Sequence, residues 1–100
     1  MTPRPELTGT VGMVASSHFL ASAAGMSVLE RGGNAFDAAV AAGTVLHVVE
    51  PHLNGLGGDA PLIGCRAGGT PFVLCGQGAS PGAATSAAFA QLGLTSIPGA

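Results

Sequence analysis

The apolar positions of this chain repeat first with the period of a helix and later with that of a strand. Over residues 18–31, Leu20, Ala21, Ala24, Val28 and Leu29 recur at i, i+4 and i+8 and build one apolar face, with Ser22, Glu30 and Arg31 off it. Ser16 or Ser17 stands where a helix needs an N-cap, and Gly32 and Gly33 supply a left-handed ending. Asn34 then caps a second helix and places Asp37 at its third position, where a carboxylate meets the positive helix end. From Phe36 to Val49 that helix is apolar nearly all round, the pattern of a helix buried on most sides. Pro51 stops it, because proline disfavours helical geometry at Glu50.

Beyond the glycine-rich loop NGLGGD at 54–59 the pattern shortens. Residues 61–66 and 70–75 read as two strands joined by Ala67-Gly68-Gly69, a hairpin. Residues 77–81 form a loop, 83–92 are helix-like, and the tail from Leu94 is loop again. Ahead of the first helix, residues 11–16 are a short β-type run, and residues 1–10, with two prolines, are a flexible lead-in. The expected order is strand, helix, helix, hairpin, helix. It is an α/β composition in an α+β arrangement, without the strand–helix alternation of a dinucleotide-binding fold.

Composition changes this picture in one respect. Hydrophobic residues make up 47% of the chain and charged residues only 8%, against the ~25% usual for soluble domains. So few charges cover an independent small domain poorly, which favours a buried portion of a larger protein over an alanine- and glycine-rich domain. The net charge is −2 and the cations are Arg4, Arg31 and Arg66, so no basic patch exists and nucleic acid is excluded as a partner. No run approaches the ~18 apolar residues of a membrane span. The start MTPRPELTGTVG lacks an apolar signal core, which gives a cytoplasmic expectation. Cys65 and Cys75 both fall in the expected strands. They read as two buried reduced thiols, with a cross-hairpin disulfide or a metal role as the other options.

Candidate chemistry is sparse. The GLGGD segment follows a helix and precedes a strand, the reverse of a phosphate loop, and no lysine follows it; its glycines serve tight turns and close packing. Asp59 reads as a carboxylate that stabilises the turn. His47 and His52 are separated by Pro51 and cannot share a helical face, so no metal motif forms. His47 reads as a hydrogen-bonded core histidine, His18 as a helix-start residue and Asp37 as part of a cap. No serine sits in a nucleophile-elbow motif. No catalytic residue, metal or organic cofactor is implied by the residues.

The words RGGNAFDAAVA (31–41) and VVEPHLNGLGGD (48–59), followed by FVLCGQGASPGAAT (72–85), closely resemble the start of γ-glutamyltransferases and their acylase-like relatives. The resemblance spans residues 11–92. It implies that residues 11–100 are the N-terminal part of a large-subunit domain, incomplete at its C-terminus, of the four-layer αββα sandwich of N-terminal-nucleophile (Ntn) hydrolases. It also implies a precursor that cleaves itself into a large and a small subunit, with the new N-terminal threonine of the small subunit as nucleophile. The partners implied are the rest of the large subunit, the small subunit and a small γ-glutamyl or other amide substrate. Thr85 and Thr95 do not match the nucleophile motif.

One substrate contact of the family falls inside this chain. The family carries an arginine in an R-E-x-A-P word after the second hairpin strand, where it holds the α-carboxylate of the donor. Here the matching word is Gln77-Gly78-Ala79-Ser80-Pro81, with Gln77 in the place of the arginine. A glutamine donates a hydrogen bond without charge, so Gln77 is the candidate substrate-binding residue and points toward acylase-like members that cleave other amides. The alternative function is a non-catalytic helical-hairpin interaction module.

Overall fold

The computed structural model of the protein describes residues 5–96. They divide at Gly58–Asp59 into two compact units. The first is a helical hairpin of α1 (Phe19–Glu30) and α2 (Ala35–Val49). The second holds β1 (Ala60–Gly64), β2 (Phe72–Gly76) and α3 (Ser86–Gln91).

Local chemistry fixes both helices of the first unit. The N-cap of α1 is His18, not a serine: its Nδ1 accepts the Leu20 N–H at 3.2 Å. Both serines have other partners. The Ser16 hydroxyl bonds the His18 carbonyl at 2.8 Å and the Ser22 hydroxyl at 2.7 Å, and Ser17 donates to Glu50. The end of α1 is a Schellman motif, with Gly33 N–H on the Val28 carbonyl and Gly32 N–H on the Leu29 carbonyl. Gly32 sits at φ +86°, a conformation a side chain would strain. One residue later Asn34 starts α2 through a complete capping box: its Oδ1 accepts from Phe36 and Asp37, and Asp37 accepts from the Asn34 N–H at 3.1 Å. Glu50 ends α2 ahead of Pro51.

The contact between α1 and α2 is made by small residues. Ala21, Gly25, Ala38 and Ala42 are the buried positions. A Cβ on Gly25 would lie 3.1 Å from the Ala38 carbonyl oxygen and 3.0 Å from Val14 Cγ1, so the glycine is what lets the two helices and the preceding segment close up. The all-round burial of α2 that its apolar sequence suggests is absent. Val40 is 69% and Val48 77% exposed, because within this unit α1 and the segment before it cover only one side of α2.

Residues 11–16 are not a strand. Among the described residues the first unit holds no strand to pair with them, and an extended run without a ladder partner is not a sheet element. They lie instead along the helices, with Val14 against Gly25 and Gly12 against Leu29. Of the lead-in, residues 5–10 are exposed and carry no helix or strand, and residues 1–4 lie outside the described residues.

In the second unit β1 and β2 pair antiparallel, Leu62 opposite Leu74 and Ile63 opposite Val73. Both strands start and end differently from the expected 61–66 and 70–75. Pro71 has no N–H for the ladder, so pairing stops at Gly64 opposite Phe72 and the connection lengthens. This register separates the cysteines. Cys75 lies opposite Pro61, and Cys65 follows four residues later, just past the end of β1, roughly 13 Å on at the strand rise and beyond disulfide reach. Both thiols are free and exposed, which corrects the expectation of buried thiols. Thr85 caps α3 through the Ala88 N–H at 3.2 Å, and a second Schellman motif at Gly93 and Leu94 closes it.

Candidate functional site

Gln77 directly follows β2 and opens the exposed loop 77–81. The preceding ladder fixes where it stands: Gly76 is paired with Ala60, so Gln77 leaves the hairpin at the end opposite the turn. Its one side-chain partner is Cys75, whose Sγ–H donates to Gln77 Oε1 at 3.3 Å. Residues 75 and 77 fall on the same side of an extended segment, which makes this contact local and direct. Gly78 turns the chain at φ +73° immediately after. The cation of this unit, Arg66, lies in the turn at the far end of the ladder and cannot take over a charge role at Gln77.

The other sequence candidates do not converge on Gln77. His18 and Asp37 are helix caps. His47 is half-buried near the end of α2 and has no hydrogen-bond partner among the described residues, so it is not the bonded core histidine expected. His52 is exposed in the turn after Pro51. Asp59 is exposed and makes no hydrogen bond with the glycine-rich loop. Among the described residues no three His, Cys, Asp or Glu side chains come together as a metal site, and no helix is long and apolar enough to cross a membrane.

Two hollows stand out among the described residues, and neither is lined by a base. A groove of about 430 Å³ runs along Met13–Ser16 and α2, with Leu29, Ala38, Ala42 and Leu46 in its walls. A smaller one of about 290 Å³ lies at the end of α3, between Phe89 and Leu94 with Ser86, Thr95 and Ser96. Hydroxyls without a neighbouring base are poor nucleophiles, and none of the residues lining the second hollow supplies one.

One polar residue escaped the sequence reading. Asn54 donates Nδ2–H to the Glu50 carbonyl at 3.0 Å, while its Oδ1 is buried without a partner among the described residues. An asparagine three residues after a helix-stopping proline is a recognisable turn former, but its burial was not readable.

Comparisons with known proteins agree with one another. The profile of the family described as gamma-glutamyltranspeptidase matches residues 21–99. A glutathione hydrolase-like YwrD proenzyme of Bacillus subtilis is 62% identical over 55 residues, 55% of this chain and 10% of that protein. An oxamate amidohydrolase proenzyme of Klebsiella pneumoniae is 41% identical over 81 residues, 81% of this chain and 15% of that protein. The crystal structure of Helicobacter pylori gamma-glutamyltranspeptidase superposes with a TM-score of 0.63 at 45% identity, over 69% of this chain and 20% of that one. The chain thus spans a small part of the length of the relatives it matches. Its mixed helix-and-strand fold is that of an Ntn hydrolase, and the chain belongs to the gamma-glutamyltranspeptidase family.

Proposed function

We propose that this chain is the first part of the large subunit of an amidohydrolase or acyltransferase that cleaves γ-glutamyl or related amide bonds. Family membership over residues 21–99 carries the reading. One similar protein is named glutathione hydrolase-like and another oxamate amidohydrolase, and both are named proenzymes. In the complete protein a precursor cleaves itself, and the threonine freed at the head of the small subunit attacks the substrate carbonyl, with its own amine as base. Residues 11–100 then contribute structure and one substrate contact, Gln77, to a site whose nucleophile lies outside them. Residues 1–10 precede the domain.

Gln77 is read as a neutral hydrogen-bond donor to the acyl part of the substrate. In place of a guanidinium it supplies no charge, which favours amides other than those with a free α-carboxylate. A non-catalytic helical-hairpin module is the competing reading, and the compactness of α1 and α2 as one unit favours it.

An intact mass spectrum of the product of the complete gene separates the two. Two chains, the smaller beginning with threonine, are expected. A single unprocessed chain of several hundred residues would overturn self-processing. A lone 9.6 kDa product would replace the enzyme with the interaction module.

A further inference from the structure

We propose that Cys75 is a positioning residue for Gln77: its thiol holds Oε1 of the glutamine and so leaves the amide nitrogen to donate to an acceptor oxygen of the acyl donor. The inference rests on the reading of Gln77 as a substrate contact.

A terminal glutamine amide has an acceptor end and a donor end of nearly equal size, and rotation about its last torsion exchanges them. Gln77 is exposed, so packing does not choose between the two. Cys75 does. A thiol proton is a donor, and at 3.3 Å from Oε1 it stabilises the orientation with oxygen inward. Pro61, opposite Cys75 in the ladder, has no N–H to compete for that oxygen. With oxygen engaged, the amide nitrogen is the end left to donate, and no hydrogen bond occupies it among the described residues.

The pair therefore presents a neutral, oriented donor at the end of the strand. Arg66 is at the other end of the hairpin and adds no charge there. The ligand chemistry that fits is a neutral acceptor oxygen on the acyl donor, an amide or ester carbonyl, in preference to a free carboxylate.

The test uses the complete processed protein and two probes, γ-glutamyl p-nitroanilide and the same compound with its α-carboxylate converted to the primary amide. Subunit masses confirm processing of each variant. Gln77→Ala should raise KM for the α-amide probe, and Cys75→Ala should raise it about threefold to tenfold at unchanged kcat, the range of one neutral hydrogen bond. Cys75→Ser, which keeps an O–H donor, should restore KM to within about twofold. Cys75→Ala should add nothing in a Gln77→Ala background. Cys65→Ala removes an equally exposed thiol bonded to its own turn, and should change neither constant.

If Gln77→Ala leaves KM unchanged, the substrate-contact reading falls and the positioning role falls with it. If Gln77→Ala raises KM and Cys75→Ala does not, the contact stands and the positioning role alone is overturned. A loss of kcat in Cys75→Ala that serine does not rescue also overturns it. Should Cys75→Ala fail to process, capping the thiols of processed wild-type and Cys65→Ala enzyme with methyl methanethiosulfonate removes the same proton. A raised KM in both then supports the role, and an unchanged KM overturns it.

Discussion

Ser17 donates its hydroxyl proton to the carboxylate of Glu50, 33 residues away along the chain. Ser17 stands just before α1 and Glu50 just after α2, so this bond joins the open end of the helical hairpin. The closed end is held by the backbone, through the Schellman motif at Gly32 and Gly33 and the capping box of Asn34 and Asp37. Removing the Ser17 hydroxyl should loosen the open end alone. Ser17→Ala in the complete protein is expected to raise hydrogen exchange severalfold at the first turn of α1 and the last turn of α2, with Arg31–Asp37 unchanged. The bond is exposed, so its contribution is about 1 kcal/mol or less.

The capping box makes the opposite prediction. Asn34 satisfies two orphan N–H groups of α2, and the side chain of Asp37 satisfies its backbone N–H in return. Asn34→Ala is expected to cost about 1 kcal/mol. Asn34→Gly should cost only a few tenths, since glycine ranks far above alanine as an N-cap. Hydrogen exchange at Phe36 and Asp37 reports the difference; equal exchange in the two variants would mean that the cap is redundant.

These caps were legible because each is a conversation between residues two to five apart. The helix stop at Gly32 and the second start at Asn34 follow from local backbone chemistry, and they appear where the sequence puts them. What was not legible was the choice a side chain makes among competing partners. The two serines before α1 looked like its caps, but Ser17 is taken by Glu50 and Ser16 by His18 and Ser22, so His18 caps instead. Residues 11–16 have strand composition, yet no strand in their unit pairs with them. At the candidate site, Gln77 was found by its place in a family word, not by composition. Its bond to Cys75 was not readable, because that depends on how the end of β2 is held.

Gly25 is buried on α1 against the Ala38 backbone of α2. Alanine there gains up to about 1 kcal/mol of helix propensity but brings a methyl 3.1 Å from the Ala38 carbonyl oxygen. Val14 can rotate away; the carbonyl moves only if α2 moves. Gly25→Ala is therefore expected to be close to neutral or slightly destabilising. Gly25→Val, which adds two more carbons in the same gap, should cost about 2 kcal/mol or more. Soluble yield and inactivation temperature of the complete protein are the readouts, and a valine variant as stable as wild type would contradict this helix contact.

The cysteine register gives a chemical prediction. With Cys75 opposite Pro61 and Cys65 beyond the last ladder pair, no intrachain disulfide joins them. Peptide mapping after mild oxidation should recover residues 65 and 75 on separate peptides without reduction. A 65–75 cross-link would require the hairpin to slip by several residues, and would disprove the register.

The last prediction concerns charge at residue 77. A guanidinium there can hold a carboxylate through two parallel hydrogen bonds, whereas the amide of Gln77 offers one face and no charge. In the complete protein Gln77→Arg should lower KM for γ-glutamyl p-nitroanilide by about tenfold, the value of exchanging a neutral for a charge-assisted contact. The same variant should gain nothing on the α-amide probe, because a neutral amide offers the guanidinium no counter-charge and no bidentate carboxylate. Arginine also removes the oxygen that accepts the Cys75 proton, so a further Cys75→Ala change should have no effect on KM in this background. Unaltered preference between the two probes would place Gln77 away from the substrate.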